Sequence, residues 1–235
     1  MLELQKISAS YGSHQVLFDV SFTVDPGEIV GIVGPNGAGK TTLFKILARI
    51  IKEYEGSVVF EGNQLSELSS SKIGYLADAP FQFKFFTPAE MLFFERAIRF
   101  PELSEEEVFE MMHILGLDDH MGKQIQNLSQ GLKKRVALAA AFLGNPSVII
   151  LDEPLNSIDI QTVIILKQLI QKALSLGAII LLSSHVLDFF DGLIKRIIFL
   201  DQGTIRYMTS DDIYKAEELY VSLFLSNHSD SSDLR

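Results

Sequence analysis

Apolar positions along this chain change their period several times, and each change marks an element. The first thirty residues alternate as strands do, over 2–4, 16–20 and 21–24, placing every second side chain on one face of a sheet. Asp25-Pro26-Gly27 is a turn signal. A short apolar run, 28–33, leads into a glycine-rich segment, and 42–52 then takes up helical spacing through Leu43, Ile46, Leu47 and Ile50. Residues 57–60 read as a strand, Glu61-Gly62-Asn63 as its turn, and 73–76 as another short strand. From about 88 to 145 the pattern is helical, with an acidic patch at 102–110. The strand period returns at 148–151, then come a helix over 161–174, a strand over 178–183 and strand-like runs at 196–200 and 204–208. Residues 226–235 are polar and serine-rich, the composition of a disordered tail.

This order predicts one domain over 1–225: a β-rich start, an α/β core from 1–80 and 146–208, and a helical insertion at 81–145. The apolar fraction of 47% is high. A parallel sheet covered on both faces would account for it, and so would an obligate partner surface. The apolar runs 136–144 and 178–182 fall well short of a membrane span. Residues 1–12 carry Glu3 and Lys6 and no signal-like apolar stretch, which predicts a cytoplasmic protein. The net charge of −10 argues against nucleic acid as a partner and against direct adsorption to an anionic bilayer. With no cysteine, disulfides and thiolate metal sites are excluded.

Gly34-Pro35-Asn36-Gly37-Ala38-Gly39-Lys40-Thr41-Thr42 fits the pattern G-x-x-x-x-G-K-[ST] between a strand and a helix. Glycines let backbone N–H groups turn inward around phosphate oxygens. The helix that follows adds its positive end. Lys40 is placed to reach the β- and γ-phosphates of ATP and the Thr41 hydroxyl to ligate Mg²⁺. A second constellation is the strand 148–151 running into Asp152-Glu153-Pro154. Acids at the carboxyl end of a parallel strand sit where open α/β sheets bind ligands. There Asp152 can hold Mg²⁺ through water while Glu153 polarises the attacking water as general base. The alternative is a pair of acids capping a turn.

Taken in order, these motifs resemble the nucleotide-binding subunit of ATP-binding cassette transporters, over about residues 2–208. The resemblance implies an α/β fold: a P-loop NTPase core, an N-terminal antiparallel β subdomain and an inserted α-helical subdomain. Tyr11 stands where the family stacks an aromatic on adenine; the alternative is an ordinary strand-edge tyrosine. Leu128-Ser129-Gln130-Gly131-Leu132 stands at the family signature, L-S-G-G-Q, and Lys133-Lys134-Arg135-Val136-Ala137-Leu138 resembles the signature helix. Ser157-Ile158-Asp159 resembles the loop that crosses the dimer interface, and His185 the switch histidine at the γ-phosphate.

Three positions depart from the family pattern. Asp78 replaces the usual Gln; its carboxylate can still touch Mg²⁺ or water but changes the electrostatics of ATP release. Gln130 replaces the first signature glycine and Leu132 the terminal glutamine. Ser129 and Gly131 preserve the hydroxyl and backbone contact to phosphate, whereas Leu132 cannot make polar contacts.

The resemblance implies that two cassettes, identical or different, sandwich ATP between the phosphate loop of one and the signature of the other. A separate integral membrane permease would hold the pair at the cytoplasmic face of the cell membrane. Phenylalanines crowd the 81–100 stretch (Phe81, Phe83, Phe85, Phe86, Phe93, Phe94, Phe100), where the family forms the groove that receives a permease helix; packing of the insertion is the competing explanation. Asp78 and the run from Leu128 to Arg135 look more like exporter-type cassettes than importers. Two other readings compete: a soluble cassette ATPase with no transport role, and an ATP-binding module with weak turnover.

Overall fold

Strands buried on both faces organise the molecule. The computed structural model describes residues 1–78, 83–156, 158–183, 193–209 and 220–222. Strands β3 (Ile29–Val33), β7 (Val148–Leu151) and β8 (Ile179–Ser183) are buried at every position, as expected of a parallel sheet covered above and below. With β6 (Ile73–Leu76), β9 (Arg196–Asp201) and β10 (Thr204–Thr209) they form one sheet in the order β10-β9-β3-β8-β7-β6. All neighbours in it are parallel except β10, which returns antiparallel beside β9. A second, antiparallel sheet has the order β2-β1-β4-β5, from β1 (Leu2–Tyr11), β2 (His14–Val24), β4 (Glu55–Phe60) and β5 (Asn63–Gln64). The expected α/β class, with an antiparallel N-terminal part and helices between β6 and β7, is what the chain adopts.

The parallel sheet divides the core by strict alternation. Val148 and Ile150 face a cluster shared with α1 (Lys40–Leu47) and the antiparallel sheet. Ile149 and Leu151 face a cluster shared with α4 (Gln130–Phe142) and α5 (Ile160–Ser175). Burial of each such side chain contributes about 1.5–3 kcal/mol, so slipping one strand by one residue would exchange both faces at once.

The largest differences from the sequence reading are at β1, β2 and α1, and each has a physical cause. β1 and β2 are longer than the alternation suggests. Bulges at Lys6 (φ 51) and Asp19 (φ 49) break the period. Side chains hold them: the Lys6 N–H donates to Ser21 Oγ (2.7 Å) and the Asp19 N–H to Ser8 Oγ (2.9 Å). Helix α1 stops at Leu47, short of the expected 52. Arg49 turns left-handed (φ 61) and its guanidinium donates to the carbonyls of Ser66 and Leu68.

Between β6 and β7 the helices announce their own starts. α2 (Pro88–Arg99) has a capping box from Thr87 and Glu90, and α3 (Glu105–Ile114) one from Ser104 and Glu107. α4 lies against β6 so closely that a Cβ added at Gly74 would sit 2.0 Å from the Ala141 carbonyl oxygen. That approach seats the last turn of α4 on β6. Gly74→Ala should therefore destabilise the fold by about 1–3 kcal/mol, read as a lower midpoint in urea unfolding. An unchanged midpoint would mean that helix and strand are not packed this tightly.

Candidate functional site

The phosphate-loop candidate follows β3 and ends on α1. Its glycines have separate duties. Gly34 passes so near β9 that a Cβ there would meet the Leu200 carbonyl at 2.0 Å. Gly37 and Gly39 take φ of 82° and 104°, a region L side chains rarely adopt. Residues Asn36 to Thr42 line an open cavity of about 430 Å³ together with Val16, Asp78, Asp152, Glu153 and Asn156. The loop and the strand-end acids, far apart in sequence, thus share one cavity.

Hydrogen bonds join them directly. Thr41 Oγ1 donates to Asp152 Oδ2 at 2.8 Å. Ser183 Oγ donates to the other carboxylate oxygen of Asp152 at 2.7 Å and accepts from the Glu153 N–H at 2.9 Å. The Asp152 N–H donates to the Leu76 carbonyl at 2.8 Å. Asp152 is 1% exposed, so α1, β6 and β8 all fix a buried carboxylate at the end of β7. Glu153 follows with a left-handed backbone (φ 46), a conformation that costs a non-glycine residue about 1 kcal/mol or more.

Lys40 Nζ lies buried, donating to the carbonyls of Gly34 (2.6 Å) and Pro35 (3.1 Å). Burial pulls its pKa below the ordinary lysine value, and the charges of Glu153 and Asp152 oppose that shift. A positive group beside two carboxylates and a cradle of loop N–H groups is chemically suited to a polyphosphate. Thr41 Oγ1 and Asp152 Oδ2 are hard oxygen donors at the same wall of the cavity, a donor set that fits Mg²⁺, which keeps few protein ligands beside phosphate and water.

The other expected residues fall in three groups. Asp78 joins the site: it lines the cavity and accepts a hydrogen bond from Asn156 Nδ2 (3.2 Å). Ser129, Gln130 and Gly131 do not line this cavity. Ser129 caps α4, its Oγ accepting from the Leu132 N–H at 3.2 Å, and Ser129 and Gln130 are exposed. Leu132, where the family pattern has glutamine, packs against the helical core. Tyr11 sits at the end of β1 opposite His14, 53% exposed and outside the cavity lining. Asp159 caps α5 by accepting from the Thr162 N–H and hydroxyl (both 2.7 Å) and pairs with Arg135 (3.0 Å). Those Thr162 bonds, foremost, hold its carboxyl below the ordinary range. Ser157, His185 and Phe81 lie outside the described residues.

Sequence reading missed four participants. Ser183 reads as an ordinary strand end, and Val16 and Asn156 carry no motif. Lys134 is only 4% exposed and donates to the Glu153 carbonyl at 2.9 Å. Burial lowers its pKa against the charges of Asp78, Asp152 and Glu153. The one available signal was positional: a lysine on the inward face of an apolar helix demands a buried acceptor.

Similarities to known proteins agree with this geometry. The family described as "ABC transporter" matches residues 17–156. The lantibiotic transport ATP-binding protein SrtF of Streptococcus pyogenes is 30% identical over 205 residues, covering 87% of this chain and 89% of that protein. The spermidine/putrescine import ATP-binding protein PotA of Mycoplasma capricolum subsp. capricolum is also 30% identical, over 97% of this chain and 67% of that protein. A solved structure of an ATP-binding subunit of an ABC transporter superposes with a TM-score of 0.83 at 26% identity, covering 97% of both chains.

Ser183→Ala would leave a buried Asp152 oxygen and the Glu153 N–H without their shared partner. The expected cost is about 1–3 kcal/mol of folding stability, measurable as a lowered urea midpoint in the absence of nucleotide. A parental midpoint would contradict this hydrogen-bond chain.

Proposed function

Given that the chain belongs to the ABC transporter family, as an ATP-hydrolysing subunit that drives transport, we propose that it powers export through a separate membrane permease, working as one of a pair of cassettes. The observation that carries the reading is the bond chain Thr41–Asp152–Ser183–Glu153 around a single cavity. ATP would enter with its phosphates on the loop 34–42 and its adenine toward Tyr11. Lys40 would leave the Gly34 and Pro35 carbonyls for the β- and γ-phosphates, and Thr41 and Asp152 would hold Mg²⁺. Bound there, Mg²⁺ would supply positive charge to the phosphate oxygens. Glu153 would orient and deprotonate the attacking water, and His185 would contact the γ-phosphate.

The second half of the site would come from another cassette. Ser129 and Gln130 stand exposed and Gly131 half-buried at the positive end of α4, away from this chain's own cavity. That placement favours a phosphate presented by a partner, identical or different. Asp159 would lie at that junction while still capping α5. The core at 1–80 and 146–208 would bind nucleotide, and 81–145 would form the transmitting subdomain.

Contact with the permease would use the phenylalanine surface of the insertion, which would hold the chain at the cytoplasmic face of the membrane. No helix among the described residues is long and apolar enough to cross a membrane. Phe85 is 72% exposed, and Phe83 and Phe94 are each 41% exposed. Phe86 packs against the helical core instead, so Phe85 is the better probe. The outward direction follows Asp78 and the Leu128 to Arg135 run, and transport assays in inverted vesicles would test it.

Two measurements check the reading. Glu153→Gln should cut phosphate release from the purified chain by about 10²-fold or more with ATP affinity preserved; a parental rate would remove Glu153 from the role of base. Phe85→Glu should leave phosphate release in solution unchanged but abolish co-purification with the permease; retained co-purification would place the docking surface elsewhere.

A further inference from the structure

Two adjacent cations on α4 grip the segment that follows β7 at both of its ends. Arg135 reaches Asp159, donating to both carboxylate oxygens (3.2 and 3.0 Å) and to the Thr162 hydroxyl (2.7 Å). Lys134 reaches the other end, its ammonium 2.9 Å from the Glu153 carbonyl oxygen. The Glu153 backbone is thus held from two other elements, with its N–H on Ser183 of β8 and its carbonyl on Lys134 of α4. The same carbonyl also accepts the Asn156 N–H at 3.3 Å, a longer contact within the turn. A left-handed residue persists only where its surroundings over-determine it, and these bonds together hold Glu153 at φ 46.

We propose that Lys134 is a positioning residue for Glu153. By fixing the Glu153 carbonyl it aims the carboxylate and ties that aim to the placement of this chain's own signature helix. The proposal rests on the reading of Glu153 as general base. The physical link is short. Lys134 lies five residues after the Ser129 cap on one continuous helix, about 7–8 Å along its axis. A shift of α4 when Ser129 meets a partner's phosphate would therefore move the anchor of Glu153 directly. The ammonium suits this task because a charge-assisted hydrogen bond to a carbonyl is roughly twice as strong as a neutral one. Burying a lysine at 4% exposure is costly, and Asp78, Asp152 and Glu153 around it offset that cost. Asp78, which departs from the family pattern, accordingly faces a cation on the same side of the site.

The test compares Lys134→Met, which keeps the stem and removes the donor, with Lys134→Gln, which keeps a donor and removes the charge. Phosphate release by the purified full chain is measured against ATP concentration, beside thermal unfolding and the Glu153→Gln control. Lys134→Met should lower kcat by about tenfold or more, with KM within about twofold of the parent and an ordinary melting transition. Lys134→Gln should recover most of the loss. A parental kcat in the Met variant overturns the proposal, as does equal loss in both variants, which would assign Lys134 to charge balance alone. A raised KM with unchanged kcat overturns it too. If the Met variant does not fold, Lys134→Leu takes its place as the variant without a donor, read by the same criteria. Equal rates for Glu153→Gln and the parent would instead remove the underlying reading of Glu153, whatever Lys134 does.

Discussion

The Asp152 carboxylate, buried at the end of β7, is where the rest of the structure converges. Its two oxygens accept from Thr41 of α1 and Ser183 of β8, and its own N–H extends the pairing of β7 with β6. A carboxyl group at 1% exposure needs such donors in place of water. The requirement fixes the start of α1 against the central strands, and with it the curvature of the phosphate loop. The alternating burial of β7, with Val148 and Ile150 on one face and Ile149 and Leu151 on the other, holds the strand in the register that puts Asp152 there.

A second set of constraints arrives from the helical side. Gly74 lets α4 lie on β6, and Leu132 packs into the helical core instead of offering the polar contacts of glutamine. From that base Lys134 and Arg135 reach into the segment after β7. The exposed start of α4 and the buried acids are therefore joined through one rigid element. Such a link would suit the proposed pairing of cassettes, in which hydrolysis would respond to how the partner is seated.

Much of this was legible in the chain, for physical reasons. The loop from Gly34 to Thr42 needs local chemistry only: glycines for positive φ, one lysine and one hydroxyl. The strand Val148–Leu151 is apolar throughout and its bounds were read correctly. Long-range partners were harder. Ser183 gains its meaning only from Asp152, thirty-one residues away, and nothing in its neighbourhood marks it. The bulges at Lys6 and Asp19 hid the length of β1 and β2 because they interrupt the alternation by which strands are recognised. Arg49 ended α1 early because it found the carbonyls of Ser66 and Leu68, a tertiary event that local helix propensity does not contain. Lys134 stood in the motif, yet its acceptor became visible only when α4 was placed against β6.

The proposed ATP and Mg²⁺ site unites the loop and the strand-end acids, with Thr41 at their junction. Calorimetric titration of ATP into the parent and a Thr41→Val variant, each with and without Mg²⁺, tests this most directly. The parent should bind ATP more tightly when Mg²⁺ is present, and Thr41→Val should lose that enhancement while retaining metal-free binding. A parent that binds no ATP, or a Thr41→Val variant with the full Mg²⁺ enhancement, would contradict it.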